Sequence, residues 1–136
     1  MILEPRAALP AYRIESVDPE AMKVWAVILR DPNPIHLDPA AVRAAGLGDR
    51  VINQGPASFG YVLKMLREAV PGAVMRDLNV RLTSNVFGGD RVTAAGRVES
   101  VCDVDGERRL VCSVWLDVEG GRRALQGTAM LALPGD

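Results

Sequence analysis

Asp31 and His36 stand five residues apart in the stretch Arg30-Asp-Pro-Asn-Pro-Ile-His-Leu-Asp-Pro39, and His36 is the only histidine among 136 residues. A carboxylate beside an imidazole can orient one water molecule, draw off its proton and return a proton elsewhere. Addition or elimination of water requires those steps. Pro32 and Pro34 restrict the backbone between the two residues, which suits groups whose geometry must be held. A plainer role is also open to them: His36 bonded to a backbone carbonyl, Asp31 capping a turn and Asp38 capping a helix.

The elements that must hold this loop can be read on either side of it. Tyr12 to Val17 alternates weakly and reads as a first strand. Asp18-Pro19-Glu20 then supplies an N-cap, a first-turn proline and a first-turn acid. Ala21, Val24, Trp25 and Ile28 recur at helical spacing, so a helix should run to about Leu29 with that face buried. Asp38-Pro39 repeats the start signal for a short helix that Gly46 ends. Pro56 opens the longest helix, with Phe59, Val62, Leu63, Leu66 and Val70 on one stripe, and Pro71-Gly72 stops it.

The rest of the chain changes period from 3.6 to 2. Strands are expected around Leu78 to Leu82, Val92 to Val98, Leu110 to Val118 and Ala124 to Leu133. Turn signals separate them at Gly88-Gly89-Asp90, Asp105-Gly106 and Gly120-Gly121. Four antiparallel strands in a meander have one face that must be covered, and the long helix is the obvious cover. The predicted class is α+β, a helix wrapped by an antiparallel sheet in the hot-dog arrangement, as one domain over residues 1–136.

Composition narrows the partners. A net charge of −1 gives no reason to expect nucleic acid. No apolar run approaches the ~20 residues of a membrane helix, and the start Met-Ile-Leu-Glu-Pro-Arg lacks a charged-then-apolar signal layout, so no membrane association and a cytoplasmic location are expected. Cys102 and Cys112 lie in apolar strand-like runs without Cys-x-x-Cys spacing, which predicts buried, reduced thiols and no metal site.

Taken whole, Asp31-Pro32-Asn33-Pro34-Ile35-His36-Leu37-Asp38 closely resembles the signature Asp-x-Asn-Pro-Ile-His-x-Asp of the MaoC-like, (R)-specific enoyl-CoA hydratase family. The run Ala44-Ala-Gly-Leu-Gly48, the pair Gln54-Gly55 and the turn Val86-Phe-Gly-Gly-Asp-Arg-Val92 extend the resemblance. It implies a hot-dog fold, a dimer of such folds, and hydration of a trans-2-enoyl thioester to a (R)-3-hydroxyacyl thioester, or the reverse. Asp31 and His36 match the catalytic pair. Asn33 matches the asparagine that orients the loop. Gly55, beside Gln54 in the oxyanion and substrate-binding region, would offer its N–H to the thioester oxygen. No cofactor is implied beyond the coenzyme A or acyl carrier that the substrate brings.

The chain departs from the family at four places. Arg30 precedes the aspartate where glycine is common, Gln54 stands where many members have histidine, Pro56 follows Gly55, and Tyr61-Val-Leu63 stands where some members carry a serine on the central helix, whose role is not transferred to the nearby Ser58. Ala57, Ser58 and Gly60 are small and would leave room for a bulky acyl group, or would pack the helix closely on the sheet. Competing functions are the catalytic subunit of a heterodimer with a related hot-dog chain acting on a large substrate such as a steroid side chain, and a polyketide-type dehydratase. A hot-dog thioesterase is weaker, because Glu68 is the only acid between residues 56 and 69.

Overall fold

Aspartates followed by prolines start the first two helices as the sequence predicts. In the computed structural model, which describes residues 3–135, the Asp18 carboxylate accepts from the N–H of Glu20 at 2.9 Å and opens α1 (Pro19–Leu29). Asp38 does the same for Ala40 at 2.9 Å and opens α2 (Pro39–Ala44). Residues 1, 2 and 136 of the expected domain lie outside the described residues. The longest helix, α3 (Gly55–Ala69), begins at Gly55, one residue before the proline.

The sheet holds β1 (Tyr12–Ile14), β2 (Val74–Leu82), β3 (Val92–Val104), β4 (Glu107–Val118) and β5 (Arg122–Ala132) in the order β1-β3-β4-β5-β2. Every neighbouring pair is antiparallel. The expected four-strand meander needs a correction. Only β3, β4 and β5 follow one another as hairpins, while β2 crosses to the far edge and pairs with β5, Leu82 opposite Leu125. The cause lies in the segment after β2, which makes no tight hairpin. Its Gly88 N–H donates to Val51 O at 2.8 Å and its Gly89 N–H to Val17 O at 2.7 Å, so the turn is tied to the approach of α3 and the end of the first strand region.

The sheet curves over α3, whose buried residues are Ala57, Ser58, Val62, Met65, Leu66 and Ala69. They pack on the inward-facing rows of β3, β4 and β5, among them Val98, Leu110, Cys112, Leu116 and Leu125, all fully buried. Burial of this apolar surface at about 25 cal/mol per Å² is the main stabilising term. Burial holds the Cys112 thiol up at about 11, so it stays protonated in the core as expected, whereas Cys102 is partly exposed.

Two expected helix faces are corrected. Leu63 is 42% exposed, and Met65 takes the place it was given on the core stripe of α3. On α1 only Met22 is fully buried, while Val24, Val27 and Ile28 are exposed by 58%, 78% and 64%. The spacing of those residues made an apolar face, but α1 lies outside the wrap of the sheet, and nothing among the described residues covers it.

Candidate active site

Asp31 is delivered by the end of α1. Arg30 adopts the left-handed conformation, φ 50° and ψ 43°, and the Asp31 N–H reaches back to Ala26 O at 3.0 Å, closing the helix with a Schellman turn. That conformation explains why glycine suits the position, since a side chain there costs about 1–2 kcal/mol. Arg30→Gly is expected to raise stability by about 0.5–1 kcal/mol, after the added freedom of the unfolded chain is counted. A urea melt of the two proteins checks this; a glycine variant no more stable than the parent would contradict it.

The loop then fastens itself. One Asp31 carboxylate oxygen accepts from Asn33 N at 3.1 Å, and the Asn33 side-chain oxygen accepts from Ile35 N at 3.3 Å. These two side-chain turns, with Pro32 and Pro34 between them, lead into a single 3-10 turn at Pro34–His36. Asn33 is exposed and acts on the backbone of the loop.

The imidazole of His36 is buried, 8% exposed, and its Nδ1 lies 2.6 Å from Ile52 O. A carbonyl only accepts, so Nδ1 carries the hydrogen. The other ring nitrogen, Nε2, lies 3.2 Å from the free oxygen of Asp31. A neutral imidazole and a carboxylate would face each other there with two lone pairs. The two groups therefore stand within reach of a proton that either could carry.

His36 and Gly55 line the same cavity, about 510 Å³, together with Asn53, Ser58 and the segment Leu82 to Val86. Gly55 opens α3, and its N–H belongs to the first turn, where helical donors have no partner within the helix. The positive end of the helix dipole adds to that donor. A Cβ at residue 55 would sit 2.9 Å from the Leu82 side chain, which caps this end of the cavity. Asp31 borders a second hollow, about 540 Å³, against the exposed face of α1. A further hollow, about 730 Å³, lies on the outer face of the sheet around Arg81, Arg97 and Trp115 and contains neither member of the pair.

Gln54 lies behind the cavity. It is 1% exposed, its amide donates to Met22 O at 2.8 Å, and its side-chain oxygen has no partner among the described residues. The side chain thereby ties α1 to the entrance of α3. The residues that sequence reasoning did not single out are Asn53 and the polar run Thr83-Ser84-Asn85 on the cavity wall. Asn53 carried a signal, a polar residue following the apolar Val51-Ile52 just before a helix; the run 83–85 became legible only with the crossing of β2.

The turn 86–92 is a brace. The Asp90 carboxylate, 8% exposed, accepts from Phe87 N at 2.9 Å and pairs with Arg50 at 2.9 Å and Arg122 at 3.2 Å. Both guanidinium groups also lie over the Phe87 ring, at 5.2 and 5.4 Å. Thus held, Val86 O accepts from Asn53 N at 2.7 Å and fixes the wall of the cavity.

One helix cradled by an antiparallel sheet of order β1-β3-β4-β5-β2 makes this a hot-dog protein. The chain belongs to the MaoC-like domain family, which it matches over residues 5–116. The (R)-hydratase of A. caviae involved in PHA biosynthesis superposes with a TM-score of 0.86 at 24% identity, over 97% of this chain and 98% of that one. The ChsH1-ChsH2 complex of Mycobacterium tuberculosis gives 0.83 at 22% identity, over 98% of this chain and 100% of that one. A curated relative, the mitochondrial 3-hydroxyacyl-[acyl-carrier-protein] dehydratase of Arabidopsis thaliana, is 30% identical over 73 residues, 54% of this chain. The match spans 43% of that relative's length. Among the described residues no helix is long and apolar enough to cross a membrane.

Proposed function

We propose that the protein is a hydratase or dehydratase that interconverts a trans-2-enoyl thioester and a (R)-3-hydroxyacyl thioester. The observation that carries this reading is the carboxylate–imidazole pair, 3.2 Å apart, with the ring fixed by Ile52 O. In the hydration direction the pair takes a proton from a bound water as its oxygen attacks C3, and returns a proton to C2. The Gly55 N–H steadies the thioester oxygen as it gains charge. Coenzyme A or an acyl carrier enters as part of the substrate. Glu68, the one acid of α3, is exposed and more than three helical turns from Gly55, which speaks against a thioesterase. The test is loss of the conjugated enoyl absorbance when purified protein meets short and long trans-2-enoyl-CoA, with free thiol followed in parallel. Release of coenzyme A without hydration would replace this reading with the thioesterase.

The protein further acts with a second hot-dog chain, identical or related. The outer edge of β2 has no partner strand among the described residues, and the apolar face of α1 is open. Light scattering at micromolar concentration should give twice the chain mass, 14.6 kDa for one copy, for the protein alone or with a co-expressed partner chain. A monomer under both conditions would contradict it.

A further inference from the structure

The first turn of α3 and the residues before it carry two buried polar side chains that the chemistry above leaves unused. Ser58 is 2% exposed and Asn53 7%. The Asn53 amide donates to the Ser58 hydroxyl oxygen at 3.1 Å, and both residues line the cavity that holds His36 and Gly55. A hydroxyl has one proton and two lone pairs. Asn53 occupies one lone pair, and among the described residues no acceptor takes the proton. Gly55 and Ser58 stand three residues apart, so they share one face of the helix about 5–6 Å from each other. Burying a hydroxyl proton without an acceptor is costly, a burden expected where a ligand supplies the missing acceptor.

We propose that the Ser58 hydroxyl is a catalytic residue, the second donor to the thioester oxygen beside the Gly55 N–H, with Asn53 as the positioning residue that aims it. This rests on the hydratase reading and deepens it. As the oxygen of water bonds to C3, the electron pair of the C2–C3 double bond moves toward C1, and the thioester oxygen gains negative charge. The proton leaves water for the Asp31–His36 pair, and C2 receives a proton as the pair of electrons returns. Two donors at the N-terminus of α3 share the transient charge between those events. The other role for Ser58 is purely internal, in which it and Asn53 only satisfy each other.

Ser58→Ala and the near-isosteric Ser58→Cys separate the two roles, because each removes the strong donor and the second preserves volume. Both should lower kcat on a trans-2-enoyl-CoA by about 10- to 10²-fold, with a smaller change in KM, since one oxyanion donor is worth that order or more. A second readout uses 3-phenylprop-2-enoyl-CoA bound to the Asp31→Asn protein, where the red shift of the enoyl absorbance measures polarisation of the carbonyl. Adding Ser58→Ala should shrink that shift. Wild-type kcat in both serine variants, or an unchanged absorbance shift, would overturn the role of Ser58 and leave the hydratase reading intact. A wild-type protein inactive on every enoyl thioester, alone and with its partner chain, would overturn both.

Discussion

Asp31→Asn and His36→Ala are each expected to lower the rate of enoyl-thioester hydration by about 10²- to 10⁴-fold, the range general acid–base groups supply. The asparagine variant is the sharper test. Its side-chain oxygen can still accept from Asn33 N, so the loop keeps its turn. Its amide, however, would donate to His36 Nε2, now 3.2 Å from the carboxylate oxygen, and occupy the lone pair that must take a proton. The pair would lose its carboxylate base while the turn that holds the loop stays in place. His36→Ala removes the ring and leaves Ile52 O without the donor it has at 2.6 Å, so some stability should go with the activity. The double variant should be little worse than either single one, because the two groups act as a unit. Assays of initial rate on the three variants, with circular dichroism to confirm folding, decide the matter. Activity within threefold of wild type in Asp31→Asn would remove the carboxylate from the mechanism.

The largest expected loss of stability lies far from the pair, at Gly127. This residue of β5 faces Val80 of β2, and a Cβ placed on it would come within 2.0 Å of Asn79 O and 2.6 Å of Val80 Cα. Backbone cannot swing aside as a flexible side chain can, so Gly127→Ala must push β2 away from β5. The expected cost is about 3 kcal/mol or more, at the upper end for overpacking. Leu82 ends β2 and the wall segment 83–85 follows it directly, so activity should fall along with the urea midpoint. A variant as stable as the parent would show that the two strands do not approach this closely.

The parts of the fold that were legible in the sequence are those set by nearest neighbours. Asp18-Pro19 and Asp38-Pro39 start helices because cap, proline and helix lie within three residues. Asp105-Gly106 turns β3 into β4 with φ of 54° and 77°, as such a pair should. The Asp31–His36 loop was visible for the same reason: its prolines and side-chain turns are local. The position of β2 was not visible, because its residues pair with β5 residues from 43 (Leu82 with Leu125) to 58 (Val74 with Ala132) positions further along, beyond the reach of any local pattern. Periodicity also could not say which apolar residues find a cover. Val24 and Ile28 have helical spacing yet stay exposed, since spacing shows that a face exists and says nothing of what packs on it. Gln54 illustrates the same limit at the site: its place beside Gly55 is a fact of sequence, but its bond to Met22 O depends on where α1 comes to rest.

The clamp on the imidazole is made of main chain alone. Ile52 donates its N–H to Ile35 O at 2.9 Å and accepts from His36 Nδ1 through its carbonyl, while its backbone also bridges to Phe87. Any residue except proline could supply those two groups. The orientation of the ring is therefore written in the path of the chain and leaves no mark on the amino-acid type at position 52. A different side chain there would change the lining of the cavity, while the two backbone bonds that hold the imidazole stay where they are. Under the proposed function, ring orientation and cavity lining are thus set by different parts of one residue, and redesign of the pocket has a natural starting point there.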